Sequence, residues 1–438
     1  MRWKQDDYAG WGGVMRAHGR IARPERVITL TELMAETPAP AMGARRSYGD
    51  TALNGDGAII DMTRMDKFLS FDAETGLLEA EAGATLGDML KTFGPKGWMP
   101  AVVPGTGFVT LGGAIANDVH GKNHRMAGSF GQHIESIQLL GADGKSQRIS
   151  LKRNAPLFKA TIGGLGQTGV ILSARIHLAK CPAGTMAVEE RRIADLDSFI
   201  DALIASTATY SVGWVDITGS GVNLGRGILE EADFANGTFR KPRRTKKVPL
   251  NFPGFSIKLF VKAFNWLYLR RASADGRNRE RALTDFFFPL DRILNVNRLY
   301  GKKGFHQFQC VLPDETARAA LQKMLEEANQ SGLCSPLTVL KRMGSGRGGM
   351  MSFPMGGMTL AIDIANKTKA QALLARLNDI TKNAKGRVYL AKDSSLDPMY
   401  LREMYPELAD FRKIINEADP EGVFETNMTR RLNIRGKS

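Results

Sequence analysis

The sequence predicts an α+β protein, on three observations. Short strand-and-turn runs dominate the N-terminal part, helical signals interrupt them without one-for-one alternation, and a literal GxGxxG string opens a strand rather than a helix. Ala58–Met62 reads as the first clear strand. Phe68–Phe71 and Leu77–Ala82 flank Glu74-Thr75-Gly76 as a hairpin, and Ile137–Leu140 and Ser146–Ser150 flank Asp143-Gly144 in the same way. Thr85, with Asp88 three residues on, reads as the N-cap of a helix running towards Phe93. Gly164-Leu165-Gly166-Gln167-Thr168-Gly169 matches the dinucleotide fingerprint literally. That fingerprint needs a helix to follow, and the β-branched run Val170–Ile176 follows instead, so a Rossmann assignment is rejected.

At 438 residues the chain has room for two to three folding units. Its 43% hydrophobic and 24% charged residues exclude a disordered or fibrous chain. Cys181, Cys310 and Cys334 are an odd set without CxxC spacing, which excludes a disulfide framework or zinc ribbon and suggests a reducing compartment. No apolar run opens the chain, so neither a signal peptide nor secretion by that route is expected. Gly97–Asn117 lacks a formal charge but carries five glycines and two prolines, which suits a loop and not a spanning helix.

The net charge is +15, and the segment from Arg240 to Arg281 holds thirteen basic residues against two acidic ones. It starts with Arg240, Lys241, Arg243, Arg244, Lys246 and Lys247. Ile257, Phe260, Val261, Phe264, Leu267 and Tyr268 then follow the spacing of one helix face, with Lys258, Lys262 and Asn265 on the other. Arg270 and Arg271 close it, where cations suit a helix C-terminus. A basic, aromatic-rich amphipathic helix has the composition of a segment lying among anionic headgroups; a core helix followed by a solvated charge run is the plainer alternative. No recognisable module supports nucleic-acid binding.

Two glycine-rich segments interrupt the strand pattern: Met42–Thr51 and Pro104–Ala114. Glycine lets backbone N–H groups turn to an anion without a Cβ in the way, and Ser and Thr add hydroxyl donors. Either loop alone fits an ordinary tight turn; together they are expected to converge on one pyrophosphate.

The order of these loops resembles a known family. Gly43-Ala44-Arg45-Arg46-Ser47-Tyr48-Gly49-Asp50, Pro104-Gly105-Thr106, Leu111-Gly112-Gly113-Ala114-Ile115-Ala116, Asp118-Val119-His120-Gly121-Lys122-Asn123-His124 and Gly128-Ser129-Phe130-Gly131 look like the vanillyl-alcohol-oxidase (PCMH) type of FAD-binding domain. Within that fold the chain is similar to the decaprenylphosphoryl-β-D-ribose 2′-oxidase family, from Gly10-Trp11-Gly12 to Asn427–Leu432.

By that resemblance Ala41, Met42, Gly43, Ala44, Arg45, Arg46, Ser47, Tyr48, Gly49, Asp50 and Thr51 would wrap the FAD diphosphate. Gly105, Thr106, Thr110, Leu111, Gly112, Gly113, Asn117, Asp118, Val119 and His120 would hold the ribityl chain and ring, with Ile171 and Tyr389 also on the cofactor. Arg45 departs from the pattern, standing where the family has glycine; it either adds a phosphate-pairing cation or alters the turn. Arg46 stands where covalent relatives carry the flavin-linking histidine, and no cysteine precedes Cys181, so noncovalent FAD is implied.

Oxidising a secondary alcohol needs a held sugar carbon, a group that takes the hydroxyl proton, and positive charge beside the reduced flavin. Lys392, His120 and Lys122 are the catalytic candidates, with Lys392 assigned to electrostatic stabilisation and orientation; a base role requires its pKa to fall. Without the family context Lys392 reads as a surface lysine. Tyr300, Gln307, Gln309 and Lys341 are the substrate candidates, the two glutamines sharing one strand face. His120 and His124 lack the Glu of HExxH, and no metal site is expected.

The expected organisation is an FAD-binding domain over 1–183, a substrate domain over 184–394 that includes the basic segment 240–281, and a tail over 395–438 returning to the first. The implied reaction is oxidation of a polyprenylphosphoryl ribose to its 2′-keto sugar, with a separate NAD(P)H-dependent short-chain reductase completing epimerisation to the arabinan precursor of a cell envelope. A cytoplasmic enzyme peripherally bound to an anionic membrane, without nucleic acid, fits that substrate. The alternatives are a soluble alditol or sugar-lactone oxidase of the same fold, and a non-catalytic membrane or nucleic-acid binding module.

Overall fold

The computed structural model describes residues 3–240 and 244–436; Lys241 and Arg243 of the basic run, and the Cys334 side chain, lie outside the described residues. Three sheets organise the chain. The first has the order Lys4–Ala9, Arg16–Ala22, Ala58–Asp61, Ala41–Met42. Its last two pairings are parallel, with helix Val27–Glu36 making the crossover, so one local βαβ unit sits within an otherwise antiparallel plan.

The second sheet is built on Val170–Lys180, the strand that follows the GxGxxG string. It pairs antiparallel with Leu77–Glu81, Ile134–Leu140 and Trp98–Pro100, and both expected hairpins flank it. The helix Leu86–Phe93 starts at its expected cap: Asp88 N–H donates to Thr85 Oγ1 at 3.1 Å.

The third sheet has eight strands, in the order Arg277–Ala282, Thr185–Ile193, Gly227–Phe234, Tyr210–Val215, Cys334–Met343, Gly357–Ala365, Phe305–Leu312, Arg387–Val388. One face is covered by helices. Helix Asp314–Ser331 buries Ala317, Ala320, Leu321, Met324, Leu325 and Ala328, the three-and-four spacing that turns one stripe inward. These pack with Phe308, Cys310 and Leu312 and with Met358, Leu360, Ile362 and Ile364. Because strand side chains alternate, the intervening residues face away from those helices, and that free face positions the site.

The tail reaches both units. Phe424 joins the core of the first two sheets, whereas Met428, Leu432 and Ile434 join the core of the third. Arg431 pairs with Asp50 at 2.8 Å and Asp393 at 2.9 Å, and buried Arg435 pairs with Asp419 at 2.6 Å.

Helix Lys258–Leu269 forms where expected but is rotated about its axis. Asn265, assigned to the polar face, is fully buried and donates to Asp216 Oδ1 at 2.7 Å. Phe260 and Leu267, placed on the same apolar face as the buried Val261, are exposed, as are Leu259 and Trp266. A buried amide held by a carboxylate fixes the rotation, so the apolar flank points outward. Among the described residues no helix is long and apolar enough to cross a membrane.

Candidate active site

The two glycine-rich loops converge. A Cβ on Gly43 would collide with Thr110 Oγ1, the hydroxyl that caps helix Leu111–Ala116 by accepting from Gly113 N–H at 3.2 Å. Glycine at 43 therefore lets the first loop touch the second. The Arg46 guanidinium lies 4.3 Å from the Trp11 ring centroid and 4.7 Å from that of Phe108, tying the loops together again. Both loops line one cavity of about 990 Å³. Among the described residues no backbone carbonyl takes the N–H of residues 44 to 47 or of 105 and 106. Gly112 N–H donates to Ala82 O at 2.8 Å, so Gly112 and Gly113 contribute their missing Cβ and not a free donor.

The opposite wall is the free face of the eight-stranded sheet. Gln307 and Gln309, Thr359 and Ala361, and Leu337, Val339 and Lys341 line the cavity at alternate positions of three adjacent strands. Cross-strand register sets Gln309 opposite Ala361 and Lys341 opposite Thr359. Tyr389, Ala391 and Lys392 join them from the segment after Arg387–Val388.

Buried cations dominate this wall. Burial pushes Lys392 down to about 7, with Asp363 opposing the fall and Lys341 adding to it. Its Nζ sits 3.9 Å from the Tyr48 ring centroid. Lys341 is pushed to about 8 by burial and by Lys122, and burial likewise takes Lys122 to about 8. Lys122 Nζ donates to Phe286 O at 2.6 Å. His120 lies between Lys341, 3.3 Å from Nδ1, and the Gln309 amide, 3.1 Å from Nε2. Burial first, then Lys341, His124 and Lys392, hold His120 well below its usual range, so it is neutral. A neutral imidazole has one acceptor nitrogen, and here Lys341 Nζ and Gln309 Nε2 compete for it, the Gln309 amide nitrogen also donating to Thr359 Oγ1 at 3.2 Å.

Ala41 to Tyr48, Thr51, Gly105, Thr106, Thr110, Gly112, Gly113, Asn117, Val119, His120, Lys122, Ile171, Gln307, Gln309, Lys341, Tyr389 and Lys392 all line the cavity. Five expected site residues do not. Gly49 is a packing glycine whose Cβ would collide with Asp393 O. Asp50 is held by Arg431. Leu111 is fully buried in the core of the first unit. Asp118, at φ 39°, accepts from Ser129 Oγ at 2.7 Å, Gly131 N–H at 2.7 Å and Gly348 N–H at 2.9 Å, and so braces the histidine-bearing loop from behind. Tyr300 stacks on Phe305 at 3.8 Å and donates to Asp363 Oδ2 at 2.6 Å, one layer beneath the wall.

Asp363 was not anticipated. It accepts from Gln307 Nε2 at 2.5 Å, and burial pushes its carboxyl up to about 6. An acid in the apolar strand Gly357–Ala365, opposite Gln307, was its available signal. Asp291, which accepts from Gly107 N–H at 2.7 Å in the second loop, was also missed. Among the described residues no three or more His, Cys, Asp or Glu side chains are placed to share a metal ion.

The cavity fits FAD. Among the described residues Arg46 Nε and Asn117 Oδ1, both in residues that line it, are buried without a hydrogen-bond partner, and the free loop amides supply the donors an anionic diphosphate needs.

Comparisons with known proteins agree. A family described as "FAD binding domain" matches residues 20–150, and one described as "D-arabinono-1,4-lactone oxidase" matches residues 293–432. The chain is 33% identical to a decaprenylphosphoryl-beta-D-ribose oxidase of Mycolicibacterium smegmatis over 97% of each chain. It is 24% identical to an L-gulono-1,4-lactone dehydrogenase of Mycobacterium tuberculosis over 97% of this chain and 98% of that one. The solved structure of Physcomitrella patens BBE-like 1 shares the fold, with a TM-score of 0.68 at 15% identity, over 93% of this chain and 90% of that one.

Proposed function

We propose a reaction from one premise: the chain belongs to the decaprenylphosphoryl-β-D-ribose oxidase family and is an FAD-dependent oxidoreductase. It oxidises the ribose 2′-hydroxyl of a polyprenylphosphoryl ribose to the 2′-ketone. The observation that carries this reading is the set of Lys392, Lys341, Gln307, Gln309 and His120 on one wall, facing two glycine loops across a single cavity.

Bound FAD would supply the acceptor for the hydride that leaves the sugar carbon. Lys392, pushed to about 7, is poised near neutral pH to take the hydroxyl proton, which is the condition its base role required. Gln307 and Gln309 orient sugar hydroxyls, and Lys341, 3.3 Å from His120 Nδ1, adds positive charge. The cofactor is held noncovalently: Arg46 fills the expected linking position, and among the described residues no cysteine lines the cavity. Residues 1–183 with the tail are taken as the cofactor-holding unit and 184–394 as the substrate-facing one. The product passes to an NAD(P)H-dependent reductase, a step towards an envelope arabinan precursor. The exposed apolar flank of helix Lys258–Leu269, beside Lys258 and Lys262, supports docking on an anionic membrane.

The match over 293–432 favours a second reading, a sugar-lactone substrate. One assay decides. The FAD-loaded protein is expected to bleach with a polyprenylphosphoryl ribose and not with L-gulono-1,4-lactone; the reverse pattern overturns the proposal. Reduction is expected to accelerate as pH rises through about 7, because the acceptor must be unprotonated, and Lys392→Met is expected to slow it about 100-fold or more while FAD stays bound.

A further inference from the structure

The sheet wall is backed by a buried acid that the proposed reaction does not use. Strand Gly357–Ala365 is apolar except for Thr359 and Asp363, and Asp363 is 1% exposed. Burial pushes its carboxyl up to about 6, so it stands there at a cost that an apolar side chain would avoid. Each of its oxygens has a protein donor: Tyr300 Oη meets Oδ2 at 2.6 Å and Gln307 Nε2 meets Oδ1 at 2.5 Å. Asp363 does not line the cavity, whereas Gln307 does. Any effect it has on the hydrogen bonds of a ligand therefore passes through that amide.

An ionised carboxylate only accepts hydrogen bonds, so the Gln307 group facing it must be the NH2. Gln307 is also hydrogen-bonded to Tyr48, in the sense that lowers a phenol's proton affinity, so the amide donates there too. Both of its hydrogens are then committed within the protein, and among the described residues no donor meets Gln307 Oε1. Gln309 carries no such constraint. Its amide nitrogen meets Thr359 Oγ1 at 3.2 Å and His120 Nε2 at 3.1 Å, and a hydroxyl or an imidazole can either give or accept a hydrogen.

We infer that Asp363 is a positioning residue that turns the Gln307 amide oxygen into the cavity, so that this wall selects a hydroxyl over any group unable to donate at the ligand atom Gln307 meets. The inference deepens the proposed function and rests on its placing of a sugar against this wall. An amide pinned by a carboxylate cannot turn over, so a ligand atom without a hydrogen leaves its oxygen unpaired. A free amide would rotate and present its NH2 instead.

The test uses the FAD-loaded protein at about pH 8, where Asp363 is ionised. Calorimetric titration compares farnesylphosphoryl ribose with analogues in which fluorine replaces the 2′-, 3′- or 5′-hydroxyl, a substituent of similar size that cannot donate. At least one fluoro sugar is expected to bind about tenfold or more weaker than the parent. Asp363→Leu and Asp363→Asn are each expected to cut that ratio to about threefold or less, a relative gain for the fluoro sugar that damage to the fold would not produce. Adding Gln307→Glu to Asp363→Asn restores an acceptor that cannot turn over, and the ratio is expected to return. The inference is overturned if no fluoro sugar is discriminated, if the ratio is unmoved in both single variants, or if the double variant fails to restore it. Should Asp363→Leu fail to fold, the isosteric Asp363→Asn decides alone. Flavin bleaching by the parent sugar separates the inference from the reaction. A parent that binds without bleaching, while the ratio follows Asp363, removes the oxidation reading and leaves the inference. Bleaching with an unmoved ratio does the reverse, and a parent that does not bind ends both.

Discussion

Arg45 carries φ 53° in the first glycine loop, so the turn keeps the left-handed conformation that glycine would adopt there and the side chain bears the strain. Arg45→Gly should relieve about 1 kcal/mol, partly offset by glycine's greater freedom when unfolded. The melting temperature of the cofactor-free protein is expected to rise by about 1 °C. Because Arg45 lines the cavity, its loss is also expected to weaken FAD about tenfold, read by flavin fluorescence on titration. An unchanged melting temperature would refute the strain account, and unchanged FAD affinity the pairing account. At this scale the sequence was legible where a residue type has few uses: glycines and hydroxyls massed in two loops do little but turn the chain or meet an anion. It was illegible where one residue type serves several ends. Asp118 and Tyr300 look like ligand groups, yet each spends its polar atoms on neighbouring protein, and only the folded register reveals that. Asp363 reads as a strand interruption until Gln307 is seen across from it.

Helix Lys258–Leu269 shows what periodicity resolves for an element and what it does not. The spacing located the helix, but its apolar residues spread too far round the axis to identify the inward side. Val261 and Asn265 face in, Tyr268 leans on Trp214 at 4.6 Å, and Leu259 and Leu267 are left 78% and 63% exposed. Two leucines that far out, beside Lys258 and Lys262, are expected to enter a lipid interface. Replacing Leu259 and Leu267 together with serine is expected to lower binding to phosphatidylglycerol vesicles at least about tenfold, given roughly 1.5 kcal/mol or more per buried leucine. The change should leave the flavin spectrum intact, since neither side chain lines the cavity. Sedimentation with vesicles measures it, and undiminished binding would move the docking surface elsewhere. Part of the segment's charge turns inward: Arg271, Arg279 and Arg281 meet Glu190 and Glu230, a pairing that no count along the chain shows.

Across the whole molecule, the buried lysines that serve the site carry a cost that pH exposes. Unfolded lysine keeps its proton to about 10.5, whereas Lys392 gives it up near 7 and Lys341 and Lys122 near 8 when folded. Between those values the unfolded chain binds more protons than the folded one, so stability rises with pH. Asp363 works in the opposite sense: its folded value near 6 lies above the ordinary 3.8, so its contribution falls as pH rises through that lower range and is spent before 7. Cys181 and Cys310, buried and pushed up to about 12, hold protons that the unfolded chain releases from about 9, which opposes the lysines' trend at higher pH. The cofactor-free protein is therefore expected to gain about 2 °C or more in melting temperature from pH 7 to 9, with the rise levelling off towards about pH 10. Lys392→Met, which removes the group with the lowest value, should raise the melting temperature at pH 7 and flatten the rise. A melting temperature that falls from pH 7 to 9 would mean that these lysines stay charged when folded, and Lys392 would then lose its place as the proton acceptor.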